Sequence, residues 1–107
     1  ILTNASNSHV HRHVAQLGAP FHAVYTAQMA RAYKPRMLAF EFMFDSLGCR
    51  PEDVLHVSSS MRYDLMTAHD MRIGARAHVL RGHEPPSPFY GAVEIQDIGG
   101  LPGLVGL

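Results

Sequence analysis

Short apolar runs alternate with longer amphipathic segments along the first three quarters of the chain. Four runs have the length and the β-branched or aromatic content of strands, at residues 1–3, 23–27, 54–57 and 77–80. Helices are predicted between them, from about residue 8 to 17, 36 to 47 and 63 to 72, and a glycine follows each, at once or within two residues. This alternation predicts right-handed crossovers and a three-layer α/β fold, with helices covering a parallel sheet.

The amino-acid composition changes after residue 81. Residues 84–88 contain three prolines, which exclude a helix or a central strand there. A short strand is predicted at 93–95 and a weak helix somewhere in 98–107. We therefore divide the chain into a strand-and-helix part, 1–81, and a Pro/Gly-rich loop and tail, 82–107. The 107 residues have room for one small domain.

Composition and charge exclude several classes of protein. The nine basic residues balance the nine acidic ones, which argues against a nucleic-acid domain and against a polybasic membrane binder. The lone Cys49 excludes an internal disulfide, and no apolar run reaches the roughly 18 residues of a membrane span. No secretory signal is visible, so we expect a cytoplasmic protein. The chain opens at Ile1, and we expect it to be a piece of a longer polypeptide.

Polar residues cluster where the predicted strands end. Thr3 and Asn4 follow the first strand, Lys34 lies in the loop after the second, and a serine-rich segment, 58–64, follows the third. Ligands of parallel α/β sheets bind outside the carboxyl ends of the strands. The sequence therefore predicts one functional site built from these three places.

Three motifs in this order resemble the haloacid dehalogenase superfamily, and within it the branch of the L-2-haloacid dehalogenases. Residues 1–4 (ILTN) match the family's second motif, residues 33–35 (YKP) the third and residues 57–64 (VSSSMRYD) the fourth. The resemblance covers roughly residues 1–81. It implies a Rossmann-like, haloacid dehalogenase-like core domain with flanking helices, of which this chain is the C-terminal portion.

The resemblance also implies a role for each candidate site residue. In the family a carboxylate attacks carbon or phosphorus and forms an ester that water hydrolyses. Lys34 would supply a fixed positive charge beside that nucleophile, and Asp64 would orient Lys34 or polarise the hydrolytic water. The remaining residues would contact a small anionic substrate or its surroundings. Ser59 would belong to the catalytic set, and the substrate would be bound by Thr3, Asn4, Ser58 and Ser60.

The fourth motif favours carbon–halogen over phosphate-ester chemistry. Phosphatases of the superfamily hold Mg²⁺ with an acidic residue at the position of Ser59, and a hydroxyl weakens such a site. The dehalogenases need no metal or other cofactor. Two departures keep the alternatives open: the spacing from Ser59 to Asp64 is one residue longer than in well-known dehalogenases, and Phe40 replaces their usual Tyr. A Mg²⁺-dependent phosphatase and a degenerate, non-catalytic binding module are the rival interpretations.

The family's first motif, which carries the nucleophile, and its helical cap are not found in these residues. The chain by itself is therefore expected to be inactive, with activity belonging to the parent polypeptide. A core that lacks its first strand leaves a sheet edge and an apolar face uncovered. This predicts homo-oligomerisation or a partly molten chain.

The eight histidines give a weaker signal. His9, His11 and His13 are predicted to lie exposed on a helix rather than to bind a metal, whereas His56 and His78 are expected to pack within strands. No metal ligands are assigned.

Overall fold

Five short parallel strands and the helices between them make up the computed structural model, which describes residues 1–82 and 84–107. The chain forms two compact units, unit 1 (Ile1–Gly48) and unit 2 (Cys49–Leu107). Each unit contains its own sheet, of two strands in unit 1 and three in unit 2. All strand pairs are parallel, as the alternation of strands and helices predicts.

Unit 1 contains the first two strands and three helices. Its elements are β1 (Leu2–Thr3), α1 (Asn7–Leu17), β2 (Tyr25–Thr26), α2 (Ala27–Ala30) and α3 (Met37–Leu47). The strands pair in the register Leu2 with Tyr25 and Thr3 with Thr26. Both strands therefore end together, and the turns that follow them lie at one edge of this sheet.

Helix α1 is capped at both ends. The hydroxyl of Ser6 accepts a hydrogen bond from the amide of His9, and Gly18 closes the helix in the left-handed conformation with φ +62°. The three histidines of α1 are exposed, as expected. The helix thus differs by only one residue from the predicted 8–17.

Unit 2 contains the larger sheet, in the order β3–β4–β5. Its elements are β3 (Leu55–Ser58), a π-helical turn (Met61–Leu65), α4 (Met66–Asp70), β4 (Ala75–Val79), β5 (Val93–Ile95) and α5 (Leu101–Leu104). Single turns of 3₁₀ helix lie at 51–53, 88–90 and 98–100. The predicted strand at 93–95 is confirmed.

The two faces of the larger sheet differ in polarity. Ala77, Val79 and Ile95 form a buried cluster on one face, and Leu55 and Val57 of β3 pack against it. Because side chains alternate along a strand, His56 and Ser58 lie on the opposite face. Polar residues of β3 are thereby separated from its apolar core.

Several predicted boundaries are corrected by the structure. The strand predicted at 23–27 is only Tyr25–Thr26, because Thr26 caps the unforeseen helix α2 through its hydroxyl. The helix predicted at 63–72 begins earlier, as a π-helical turn. In the part of the chain that is described, the strands form two parallel sheets, one in each unit. No helix there is long and apolar enough to cross a membrane.

Gly74 lies where no side chain fits. A Cβ atom added there would collide with the carbonyl oxygen of Glu52, whereas one added at Gly103 would meet no atom within 4 Å. We expect Gly74→Ala to lower the free energy of unfolding by about 1–3 kcal/mol through overpacking. Urea denaturation of the full-length natural protein measures this loss. Gly103→Ala is the control, and equal midpoints for the two variants would contradict the expectation.

Candidate active site

Lys34 is fixed at the carboxyl end of β1. Its Nζ donates a hydrogen bond to the carbonyl oxygen of Leu2 at 3.0 Å. The backbone of Lys34 is bound as well: its amide donates to Oδ1 of Asn4 at 2.8 Å, and its carbonyl accepts from Nδ2 of Asn4 at 3.2 Å. We call Thr3, Asn4 and Lys34 the lysine cluster. Two of the predicted site residues are thus joined directly.

The side chain of Asn4 supports the backbone of Lys34. Both ends of its side chain contact the backbone of Lys34, so Asn4 positions the lysine whatever else it binds. Thr3 accepts the amide of Ala5 through its hydroxyl oxygen at 3.1 Å, which orders the turn after β1. The peptide bond between Lys34 and Pro35 is cis.

A cavity of about 590 Å³ opens beside the lysine cluster within unit 1. Asn4 lines it together with three side chains of the Lys34 loop, and these are Arg31, Tyr33 and Arg36. Three cations thus fall within residues 31–36. Such a concentration of positive charge at a strand end attracts small anions.

Asp64 is the centre of a second cluster, in unit 2. It is only 3% exposed, and both of its carboxylate oxygens accept hydrogen bonds. Oδ1 accepts from Nε2 of His56 at 2.8 Å, and Oδ2 accepts from the hydroxyl of Ser58 at 3.0 Å. Where Asp64 is ionised it can only accept, and Nε2 of His56 is then the donor. We call His56, Ser58 and Asp64 the aspartate cluster.

Asp64 lies within the π-helical turn that follows β3. The amide of Leu65 donates to the carbonyl of Ser60 at 3.2 Å, which is an i to i+5 hydrogen bond. A π turn is wider than an α turn by one residue. Ser60 caps the turn, since its hydroxyl accepts the amide of Tyr63 at 3.0 Å. Ser60 is therefore an N-cap, whether or not it also contacts substrate.

Ser59 lines a cavity of about 420 Å³ at the carboxyl ends of the larger sheet. Val57 and Val79 line the same cavity with apolar surface, and Arg81 and Asp97 add charge. The site therefore combines apolar surface with a few polar groups, as small-molecule sites commonly do.

The donor set in unit 2 fits Mg²⁺ poorly. Ser59 offers a neutral hydroxyl, and the two oxygens of Asp64 already accept hydrogen bonds from His56 and Ser58. Mg²⁺ is usually bound through one or two carboxylates, with water in several of its remaining positions. Among residues 1–82 and 84–107, no group of three His, Cys, Asp or Glu side chains could hold a metal ion.

Two partners of the site were missed in the sequence. His56 was expected only to pack, but it binds Asp64. The period of two along β3 was the available signal, because it places His56 on the same face as Ser58. Glu84 accepts the amides of Met61 and Arg62, and no local pattern indicated this contact. His78 is buried as expected, with 1% exposure.

Comparison with solved structures establishes the fold of this chain. The chain has the haloacid dehalogenase-like fold, in part, with a parallel sheet and flanking helices. Its structure is similar to the crystal structure of a dehalogenase, with a TM-score of 0.86 and 24% identity over 97% of this chain. A second dehalogenase structure, solved with an intermediate complex, gives a TM-score of 0.79 and 22% identity over 95% of this chain.

A phosphatase has a similar structure as well. The crystal structure of a HAD phosphatase from Thermococcus onnurineus matches 99% of this chain with a TM-score of 0.80 and 21% identity. The chain spans 46–49% of the length of these three proteins. No protein-family model and no curated protein matches the sequence. At these identities the likeness establishes the fold, and the chemistry must be argued from the residues.

Proposed function

We propose that the full-length protein is a haloacid dehalogenase-like hydrolase and that it removes halide from short 2-haloacids. One observation carries the choice of reaction: the strand end that would hold Mg²⁺ in a phosphatase has the neutral Ser59 and a carboxylate, Asp64, whose oxygens are both hydrogen-bonded. A metal-free displacement at carbon needs only a nucleophile, a fixed cation and a route for water.

The proposed reaction has two steps. A carboxylate supplied by residues outside this chain attacks C2 of the haloacid, forming a C–O bond while the halide leaves with the electron pair and the carbon inverts. Water then attacks the carbonyl carbon of the ester, which releases the 2-hydroxy acid, regenerates the carboxylate and frees one proton. Lys34 offsets the negative charge of nucleophile and substrate, and Asp64 orients the water.

An anionic substrate suits the charge of the loop between α2 and α3. Arg31 and Arg36 line the cavity beside the lysine cluster, and Lys34 lies between them in sequence. A carboxylate approaching this loop gains favourable interaction before it binds, and salt screens that gain. Thr3 and Asn4, at the end of β1, are the proposed contacts for the substrate carboxylate, with Ser58 and Ser60 contributing from the loop after β3.

The open edge of β3 suits the strand that would carry the nucleophile. Within the described residues β3 pairs with β4 alone, so the other edge of β3 has unpaired backbone groups. We propose that this edge receives the nucleophile strand. A chain without that strand exposes the edge, and its self-association remains a prediction.

Phosphate-ester hydrolysis is the second candidate. It is favoured by the likeness to the HAD phosphatase and by the longer spacing from Ser59 to Asp64, which resembles the phosphatase spacing. In that case Mg²⁺ would be required, with its carboxylate ligands supplied by residues outside this chain.

A halide-release assay on the full-length natural protein separates the candidates. We expect halide release from a 2-chloro or 2-bromo acid at a rate that EDTA leaves unchanged, because no step requires a divalent cation. Phosphate release from p-nitrophenyl phosphate, with and without Mg²⁺, is measured in parallel. Mg²⁺-dependent phosphate release without halide release would establish the phosphatase, and no product in either assay would favour a non-catalytic binding module.

A further inference from the structure

The carboxylate of Glu84 binds the π-helical turn that carries Asp64. Oε2 of Glu84 accepts the backbone amide of Met61 at 2.6 Å, and Oε1 accepts that of Arg62 at 3.3 Å. These amides open the π-helical turn and have no acceptor within it. Glu84 lies more than twenty residues further along the chain, so the contact is tertiary rather than local.

Two side chains accept the first three amides of the turn. Ser60 accepts the amide of Tyr63, and Glu84 accepts the two that precede it. π-Helical turns are rare, occur mostly as single turns and are frequent at functional sites. Because Asp64 lies within this turn, whatever fixes the turn also fixes the position of Asp64.

The segment from Glu84 to Tyr90, here called the proline strap, is anchored at its other end too. The His69 ring packs against Phe89 and Tyr90, with ring centroids 5.4 and 5.3 Å apart. Nε of Arg76 donates to the carbonyl of Tyr90 at 3.1 Å. The strap therefore contacts both ends of the helical segment 61–70. Its three prolines restrict the unfolded chain, so the strap loses less conformational entropy on folding.

We propose that Glu84 is a positioning residue for the reaction: its carboxylate holds the π-helical turn in the geometry that presents Asp64 between His56 and Ser58. This inference deepens the proposed function and rests on it for the catalytic readout. Glu84 touches no reacting atom, and it acts through the amides of Met61 and Arg62.

The test compares Glu84→Ala and Glu84→Gln with the wild-type full-length protein. Hydrogen exchange measures the contact directly: we expect the amides of Met61 and Arg62 to exchange about tenfold or more faster in Glu84→Ala, because each loses a charged acceptor. The Gln variant keeps one carbonyl oxygen, so its effect should be intermediate. We also expect the carboxyl ¹³C signal of Asp64 to move.

Halide-release kinetics measure the consequence for the reaction. We expect Glu84→Ala to lower kcat about tenfold or more while KM stays near the wild-type value, since a displaced Asp64 affects chemistry rather than binding. Glu94→Gln is the matched control, because Glu94 is an exposed carboxylate on β5 of the same unit. It should leave exchange and kinetics unchanged.

Each outcome decides the inference. Unchanged exchange at Met61 and Arg62 in a folded Glu84→Ala variant would overturn the contact, and faster exchange with unchanged kcat would reduce Glu84 to a structural residue. If Glu84→Ala fails to fold, the Gln variant decides by the same criteria. A wild-type protein that releases no halide would refute the proposed function; exchange and the Asp64 signal would then still decide whether Glu84 positions that carboxylate.

Discussion

Replacing Lys34 by Met should lower kcat/KM for halide release by about 10³-fold in the full-length protein. Lys34 is bound at three points, through its Nζ, its amide and its carbonyl, so the charge is preorganised at the end of β1. A fixed cation of this kind acts on the transition state without reorganisation, and removing one such group typically costs 10²- to 10³-fold, with weaker substrate binding adding to the loss. Steady-state halide release measures the effect.

Arg12→Met is the control for the loss of one positive charge. Arg12 is exposed on α1, away from the strand ends of unit 1, and its replacement should leave kcat/KM unchanged. Lys34→Arg should recover only part of the activity, because a planar guanidinium cannot reproduce the contact of Nζ with Leu2. Wild-type kinetics in Lys34→Met would refute the role given to Lys34.

The second large effect is expected for Asp64→Asn, which should lower kcat by about 10²- to 10³-fold. This loss lies within the range measured when a positioned acid or base is removed. The substitution also places an amide where Nε2 of His56 and the hydroxyl of Ser58 donate, so the aspartate cluster loses an acceptor. Rapid-quench measurement should show ester formation outpacing its hydrolysis, because Asp64 is proposed to orient the water.

Asp45→Asn is the matched control, since Asp45 is exposed on α3 of unit 1. It should behave as wild type. An Asp64→Asn variant that forms and hydrolyses the ester at wild-type rates would exclude Asp64 from the water step. A variant that slows formation alone would assign it to the first step instead.

The caps and boundaries of α1 show how far local sequence determines structure here. Gly18 ends the helix through a contact within a few residues, and this stop was predicted from the sequence alone. The motif residues were recognised differently, through the resemblance to a known superfamily. Their order along the chain predicted that Asn4 and Lys34 would lie at strand ends of a parallel sheet.

The π-helical turn shows where local reasoning fails. Residues 63–72 have the composition of one ordinary helix, whereas the structure begins this segment with a π-helical turn whose first two amides bind Glu84. Glu84 is distant in sequence from the turn that it binds. The sequence predicted only that His56 lies in a strand, and its hydrogen bond with Asp64 was not foreseen. The two-residue strand β2 ended early for a similar reason, because Thr26 is used as a cap for α2.

The sequence by itself determined the fold class and the boundaries of α1 and α3, since periodicity and glycine stops act over a few residues. The motif residues were proposed from the resemblance to a known superfamily. Only the tertiary structure decided what each motif residue contacts. Asn4 became the support of Lys34, and Asp64 became the shared acceptor of His56 and Ser58. Such contacts join residues far apart in the chain, and hydrogen bonds of buried polar groups are fixed only when the packed elements bring donor and acceptor together.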